Sequence, residues 1–373
     1  MAPSIDVCNG CLRRTWLVAA LSPFIDAMRE RYGRPDELFA LGDAELIHGL
    51  AGRHSDLIRA AYESFDADGP RSVMEAAGMG AVCRHAAGYP RALLDSPAPP
   101  AVLHGKGPLV EDSLFAGLDT WAGDRPAVAI VGARRCSEYG REVARSLGRG
   151  LAAAGVAVVS GMALGVDSAA HEGALDAGGS TVAVLGCGVD IAYPASKRAL
   201  HARLLEAGGV VSELPPGFAP RRWCFPVRNR VIAGLASLTV VVEGGERSGS
   251  LITARLARDM GRDVGAVPGR VTQPAASGPN ALLYDGAYVI RGAQDVLDVV
   301  FGAGACEAPP ARDPTTLAPP LRRLRDAVAS GRATPSALTA AGFTLAEALA
   351  GLAELEVTGF LRRGPGGEYV VVP

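Results

Sequence analysis

No run in the 373 residues approaches the roughly eighteen consecutive apolar positions that a membrane-crossing helix needs, so no transmembrane segment is predicted. The early stretch WLVAAL, preceded by Arg13 and Arg14, is too short for a signal peptide. It also lacks a small-residue cleavage site before Pro23 and Asp26, and reads as a core helix. An excess of either charge is missing as well. Lys and Arg number 37 against 39 Asp and Glu, a formal net charge of -2, so a polyanion would meet local patches and no overall field. Cofactor fingerprints are absent. Gly132-Ala133-Arg134 stands where dinucleotide binding would require G-x-G-x-x-G, and Arg134 occupies the room a pyrophosphate turn needs, which disfavours NAD and FAD. Without a Walker A lysine, ATP chemistry has no support, and neither Ser160 nor Ser250 sits in a G-x-S-x-G elbow. His171 lies inside a predicted helix with no nucleophile in reach, and packing or capping accounts for Asp167 four residues before it. No catalytic residue and no cofactor is implied. Seven cysteines, an odd number and scattered, argue against a disulfide framework and for a reducing compartment, the cytoplasm by default.

What is present is a well-packed globular composition, 49% apolar and 20% charged, in a chain long enough for two or three domains. Up to about residue 105 apolar residues recur three and four apart, as helices require, and prolines in YPRALLDSPAPPAVLHGKGPL place a boundary near Gly107. From Val128 the pattern changes to short continuous apolar runs, VAIVG, VAVVSG, TVAVLG, VVSEL, LTVVVEG and DVGAVPG, alternating with helix-length segments. Strands buried on both faces read this way, which predicts an α/β fold: an extended, Rossmann-like, doubly wound and mostly parallel sheet over residues 108–302. A Pro- and Ala-rich linker over 303–317 follows, and the helices and terminal hairpin of 318–373 suit a winged helix. Residues 1–107 form the expected N-terminal helical (SAM/HhH-like) domain.

In open α/β sheets ligands bind outside the carboxyl ends of the strands. The loops there carry Gly132 and Arg134, then Ser160 and Gly161, then Lys197, then Ser248, Gly249 and Ser250 at the mouth of a helix. Glycine- and serine-bearing helix N-termini favour anions through unpaired N–H donors and the macrodipole. RRWCFPVRNR adds four arginines with no acidic residue, and Arg228, Asn229 and Arg230 run straight into an apolar helix. Guanidiniums fixed beside a packed core can fork onto successive phosphates. Structural pairing with Glu213 or Glu243 competes with that reading for each arginine. Trp223 and Phe225 offer base stacking, with a core position as the simpler alternative. Farther off, the C-x-x-C of Cys8 and Cys11 and the C-x-H of Cys83 and His85 supply the four ligands of a Cys3His zinc site. Reduced, partly buried thiols are the other reading, and the spacing leaves the two open.

VAIVGARRCSEYG, SGMALGVDSAAHEGAL, FPVRNRVIAGL, VVVEGGERSGSLITA and VPGRVTQPAASGPNALLYDGA together resemble the bacterial DNA-processing protein family DprA, also called Smf, from about Tyr89 to Val299. LAELEVTGFLRRGPGGEYVVV is similar to that family's C-terminal winged helix, and the N-terminal region is loosely similar to its helical accessory domain. The resemblance implies a dimer that binds single-stranded DNA without sequence preference, has no catalytic step, and helps load the RecA recombinase during natural transformation. It carries DNA or phosphate contact onto Gly132 and Arg134, Ser160 and Gly161, Arg228-Asn229-Arg230, and Ser248 to Ser250. Lys197 departs from the asparagine expected after the Y-P pair, and Pro279 from a small polar residue before Asn280. The alternative is a nucleotide-binding enzyme of the related cytokinin-activating phosphoribohydrolase class. Thr253 stands here where that class has its catalytic glutamate. Between Leu321 and Pro373 six arginines face five acidic residues, so the C-terminal segment suits protein contact better than strong DNA binding.

Overall fold

The continuous apolar runs become adjoining strands of one sheet. A computed structural model describes residues 4–32, 35–111, 126–307, 316–363 and 367–371, which fall into two compact units, Met1–Ala308 and Pro309–Pro373. The first unit holds strands β1 (Ile5–Asp6), β2 (Gly80–Cys83), β3 (Val102–Lys106), β4 (Ala127–Val131), β5 (Ala157–Ser160), β6 (Thr181–Val184), β7 (Gly209–Ser212), β8 (Leu238–Val241), β9 (Asp263–Ala266) and β10 (Tyr288–Val289). They form a single mixed sheet in the order β1-β2-β3-β7-β6-β5-β4-β8-β9-β10. Only β3 runs antiparallel to its neighbours, β2 and β7.

Every residue of β4, β5, β6, β7 and β8 is buried, because helices cover both faces. Side-chain alternation sorts the two cores. Ala127, Ala129 and Val131 pack with Val231, Ile232 and Ala254, on the helices Cys224–Gly234 and Gly249–Asp259. Val128 and Ile130 pack with Leu147, Leu151 and Ala170, on the helices Glu138–Ala153 and Val166–Asp176. After β4 the chain builds β5, β6 and β7 on one side and then returns to place β8 on the other. That reversal opens a crevice at the carboxyl end of β4.

The α/β expectation holds, and its six apolar runs are strands β4 to β9. The helical reading of residues 1–107 is corrected at its C-terminal part. Helices occupy Asn9–Ala20, Ser22–Tyr32, Asp43–Ala51, Ser55–Glu63 and Asp68–Ala76, whereas residues 80–83 and 102–106 are strands of the same sheet. Both are short, GAVC and VLHGK, and lie among helical and proline-rich segments, so no continuous apolar run marks them as strands. The boundary expected near Gly107 therefore falls where β3 leaves a sheet it shares with β7. WLVAAL is a core helix as read: Leu17 and Leu21 are buried with Ile25, Leu46 and Trp223.

The second unit has helices Pro319–Ala329, Pro335–Ala340 and Leu345–Val357, then an antiparallel hairpin of β11 (Leu361–Arg363) and β12 (Tyr369–Val371). Leu324, Leu338, Leu352 and Leu355 form its core, and Thr344 with Glu347 makes a reciprocal cap on the last helix. Most of the expected 303–317 linker, residues 308–315, lies outside the described residues. Among those described, no helix is long and apolar enough to cross a membrane.

Candidate functional site

The crevice is a cleft of about 510 Å³ lined by Gly132 and Arg134 after β4, Ala163 and Asp167 after β5, Tyr193 after β6, and Ser248, Gly249 and Ser250 after β8. Arg222, Phe225, Arg228 and Asn229 reach it from the start of the Cys224–Gly234 helix, and Arg29 from the N-terminal helices. Seven of the residues expected from sequence thus share one wall-to-wall site.

Arg228 organises it from below. Its side chain is 7% exposed. Its Nη1 donates to the Gly161 carbonyl at 2.6 Å and to that of Val184, its Nε donates to Asn229 Oδ1 at 3.3 Å, and Nη2 lies 3.9 Å from Asp167 Oδ2. Asn229 Nδ2 donates to the Gly249 carbonyl at 3.2 Å. Two adjacent residues therefore tie together the loop after β5, the carboxyl end of β6 and the helix start after β8. Burial pulls the Arg228 guanidinium below the ordinary arginine range, with Asp167 opposing; burial likewise raises the Asp167 carboxyl against the pull of Arg228. Gly161 is required for this packing, since a Cβ there would stand 2.2 Å from Arg228 Nη2. Gly165 takes φ 80, and its Cβ would lie 2.2 Å from the Ala133 carbonyl, so the loops after β4 and β5 approach closely only through glycine.

Arg134 is different. It is exposed, and its guanidinium sits 5.1 Å above the Phe225 ring. Phe225 in turn lies 5.4 Å from Tyr193, tilted 31°, and Tyr193 is 40% exposed. The cleft mouth is thus an aromatic pair with a cation over one face. Also lining the cleft, the helix Gly249–Asp259 begins at Ser248, whose Oγ accepts from Ser250 N at 3.4 Å and lies 2.7 Å from Ser250 Oγ. Ser248, Gly249 and Ser250 at this helix end line the cavity, with the Ser250 amide capped by Ser248 Oγ.

Four expected contacts are placed elsewhere. Arg230 makes a buried two-point pair with Glu213, both contacts 2.6 Å, and donates to the Ala98 carbonyl at 2.8 Å. One helical residue separates 228 from 230 by two positions, about 200° around the axis, so the two guanidiniums leave opposite sides. Lys197 Nζ is paired with Glu172 at 3.2 Å and is not on the cleft wall. Ser160 is fully buried, and its hydroxyl donates to the Ile130 carbonyl at 2.6 Å, across the sheet. Gly161 serves through its carbonyl on Arg228 and lines a smaller neighbouring cavity. The helix after Gly132 is also no vacant anion site. Glu243, 3% exposed, accepts from Ser137 N at 2.8 Å and from Ser137 Oγ at 2.5 Å, so a resident carboxylate already fills that N-terminus. Ser137 is the helix N-cap as read, accepting from Gly140 N at 3.1 Å.

Trp223 belongs to the core: it is fully buried and donates Nε1–H to Ser22 Oγ at 2.9 Å. His171 is fully buried against Thr181 Oγ1 at 2.7 Å and does not line the cleft. Burial, and then the nearby Arg228 charge, push it down to about 3, so it stays neutral. Tyr193 and Arg222 were missed as site residues. Arg222 is the exposed neighbour of the RNR segment, and Tyr193 precedes Pro194 in the loop after β6; a search for exposed aromatics beside the predicted rim would have found it.

Fold and site together define an α/β protein with an arginine-bearing, aromatic-rimmed cleft at the switch point of its sheet. Residues 80–301 match the family described as DNA recombination-mediator protein A, and the chain belongs to that family. A putative DNA processing protein DprA of Mycobacterium tuberculosis H37Rv is 44% identical over 238 residues, a match spanning 62% of this chain and 61% of the relative's length. Among solved structures, the DprA of Streptococcus pneumoniae aligns with a TM-score of 0.61 at 30% identity, over 78% of this chain and 98% of that one. A structure described as giving insight into the single-stranded DNA binding mode of Helicobacter pylori DNA processing protein A aligns with a TM-score of 0.51 at 29% identity, over 60% of this chain and 95% of that one.

Proposed function

We propose that this chain binds single-stranded DNA without sequence preference through the cleft at the carboxyl ends of β4, β5, β6 and β8. The observation that carries the proposal is Arg134 stacked on Phe225 beside Tyr193, in the same cleft as the Ser248–Ser250 helix start. A flexible single strand can offer its phosphates to arginines and amide donors while an unpaired base lies on an aromatic face, whereas a duplex keeps its bases stacked inside. Near-neutral overall charge fits as well, because a duplex-binding surface calls for a broad basic face. Single-strand binding named for the Helicobacter pylori relative supports the same reading.

Fluorescence anisotropy with labelled oligonucleotides tests it. Homopolymer and mixed single strands should bind with similar affinity, and the corresponding duplex much more weakly. Tighter binding of duplex would overturn the proposal.

In this reading the protein is a mediator without a catalytic step, works as a homodimer in the cytoplasm, and delivers the bound strand to a RecA-class recombinase during DNA uptake. The three helices and hairpin of Pro309–Pro373 support a winged helix for the second unit. The nucleotide-hydrolysing alternative loses its carboxylate, since Thr253 lines the cleft where a glutamate would be needed. Release of free base from nucleoside monophosphates would restore that alternative.

A further inference from the structure

Away from the cleft, the parallel pairing of β1 with β2 sets Ile5 beside Ala81 and Asp6 beside Val82. Continued past their ends, that register sets Val7 beside Cys83, so Cys8 follows one residue on, with its N–H 3.5 Å from Cys83 Sγ. Cys8 is also the N-cap of the helix Asn9–Ala20, where its side chain makes no capping bond, and Cys11 lies one turn on. His85 follows Cys83 in the turn after β2. The three sulfurs and one ring nitrogen all lie within 4.8 Å of one another. His85 Nδ1 is 3.4 Å from both Cys8 Sγ and Cys11 Sγ.

We propose that Cys8, Cys11, Cys83 and His85 Nδ1 form a structural zinc site that pins the first helix to the edge of the sheet. Zinc at about 2.3 Å from sulfur and about 2.0 Å from nitrogen gives tetrahedral edges of about 3.6 Å for S–N and about 3.8 Å for S–S. The two S–N distances of 3.4 Å come close to the S–N edge, and the remaining ligand atoms lie within 4.8 Å of one another. A neutral imidazole Nδ1 has one lone pair or one hydrogen, so two sulfurs at an equal 3.4 Å are better explained by a shared centre than by two hydrogen bonds. Simple packing of thiols does not account for the cluster either, because Cys8 and His85 are exposed.

A second layer supports the ligands. Cys8 N–H donates to Cys83 Sγ at 3.5 Å, and Arg71 Nη2 donates to the Val7 carbonyl at 2.9 Å and to Asn9 Oδ1 at 2.6 Å, fixing the segment on both sides of Cys8. On binding, three thiols release their protons to solvent and His85 stays neutral with its proton on Nε2. Zn²⁺ with three thiolates leaves one net negative charge at a helix N-terminus, which favours it. All four protein ligands being present, the site has no open position for substrate and is structural.

Full-length protein purified under reducing conditions and passed over a desalting column should carry about one zinc per chain by elemental analysis. Cobalt(II) in its place should give the visible d–d and thiolate charge-transfer bands of a tetrahedral site. Cys83→Ser and His85→Asn should each lower bound zinc to less than about a tenth per chain. Should those variants fail to fold, the wild-type metal count and cobalt spectrum still decide. Wild-type protein with reduced thiols that retains no zinc, an octahedral cobalt spectrum, a disulfide within the trio, or full zinc retention in folded Cys83→Ser would each overturn the proposal.

Discussion

Replacing Arg134 and Arg230 by alanine, one at a time, separates two arginines that the sequence presents alike. Arg134 is exposed and touches the protein through the Phe225 ring, so its loss should leave stability within about 0.5 kcal/mol. Its partner in the proposed complex is a phosphate, and a charged hydrogen bond contributes about 1.5–3 kcal/mol. Affinity for a single strand should then fall by about 10- to 100-fold. One fewer phosphate contact should also reduce the slope of log K against log salt by about 0.7. Arg230 is the reverse case. Its side chain is 4% exposed and that of its partner Glu213 9%, so Arg230→Ala strands a carboxylate in the interior at a cost of about 3–5 kcal/mol. The melting temperature should drop by roughly 10 °C for a unit of this size, while the folded fraction binds as before. Anisotropy over a salt series and a thermal melt read both effects. Unchanged affinity and salt slope in Arg134→Ala, together with lost affinity at unchanged stability in Arg230→Ala, would refute the reasoning.

Gly161→Ala would place a methyl 2.2 Å from Arg228 Nη2 and should both lower the melting temperature and weaken single-strand binding; an unperturbed variant would show that the Arg228 network is not needed. Phe225→Leu keeps the apolar volume but removes the stacking face, so affinity should fall by about 1–3 kcal/mol with the salt slope unchanged, measured in the same anisotropy series. Burial holds His104 down to about 4 and His171 to about 3, both below the unfolded value near 6.5. The unfolded chain therefore takes up protons that the folded chain refuses. Stability should be full above about pH 6.5 and fall by about 1.4 kcal/mol per pH unit for each histidine as pH drops towards its folded value. Urea titrations of wild type and His171→Gln from pH 7 to about pH 4 should show a shallower dependence in the variant. Deleting the second unit, Pro309–Pro373, should leave single-strand binding in the remaining unit; its complete loss would move the binding site out of the cleft.

The parallel core was legible because a strand covered on both faces has to be apolar throughout, and VAIVG, VAVVSG and LTVVVEG are. Strands β2 and β3 were not, because GAVC and VLHGK are short and sit among helical and proline-rich segments. Gly132, Arg134, Arg228 and Ser248 to Ser250 come together on one cleft because the carboxyl ends of the strands share one rim. Which arginine of the RNR pair faces the rim was not readable in the same way. Charge and spacing are the same for both, and only the angular step along the helix and the presence of Glu213 within reach send Arg230 inward. Lys197 was drawn off the rim by Glu172, a residue on another helix. Tyr193 stayed hidden because a single tyrosine before a proline has no period and no motif, and acquires meaning only when the fold sets it beside Phe225.

Photo-cross-linking with a single-stranded oligonucleotide carrying a halogenated pyrimidine, followed by peptide mapping, tests the cleft most directly. Adducts should concentrate on Tyr193 and Phe225, and should diminish in Arg134→Ala at equal total protein. Adducts confined to Pro309–Pro373, or spread over the surface with none on either aromatic residue, would contradict a binding track at the carboxyl ends of the strands.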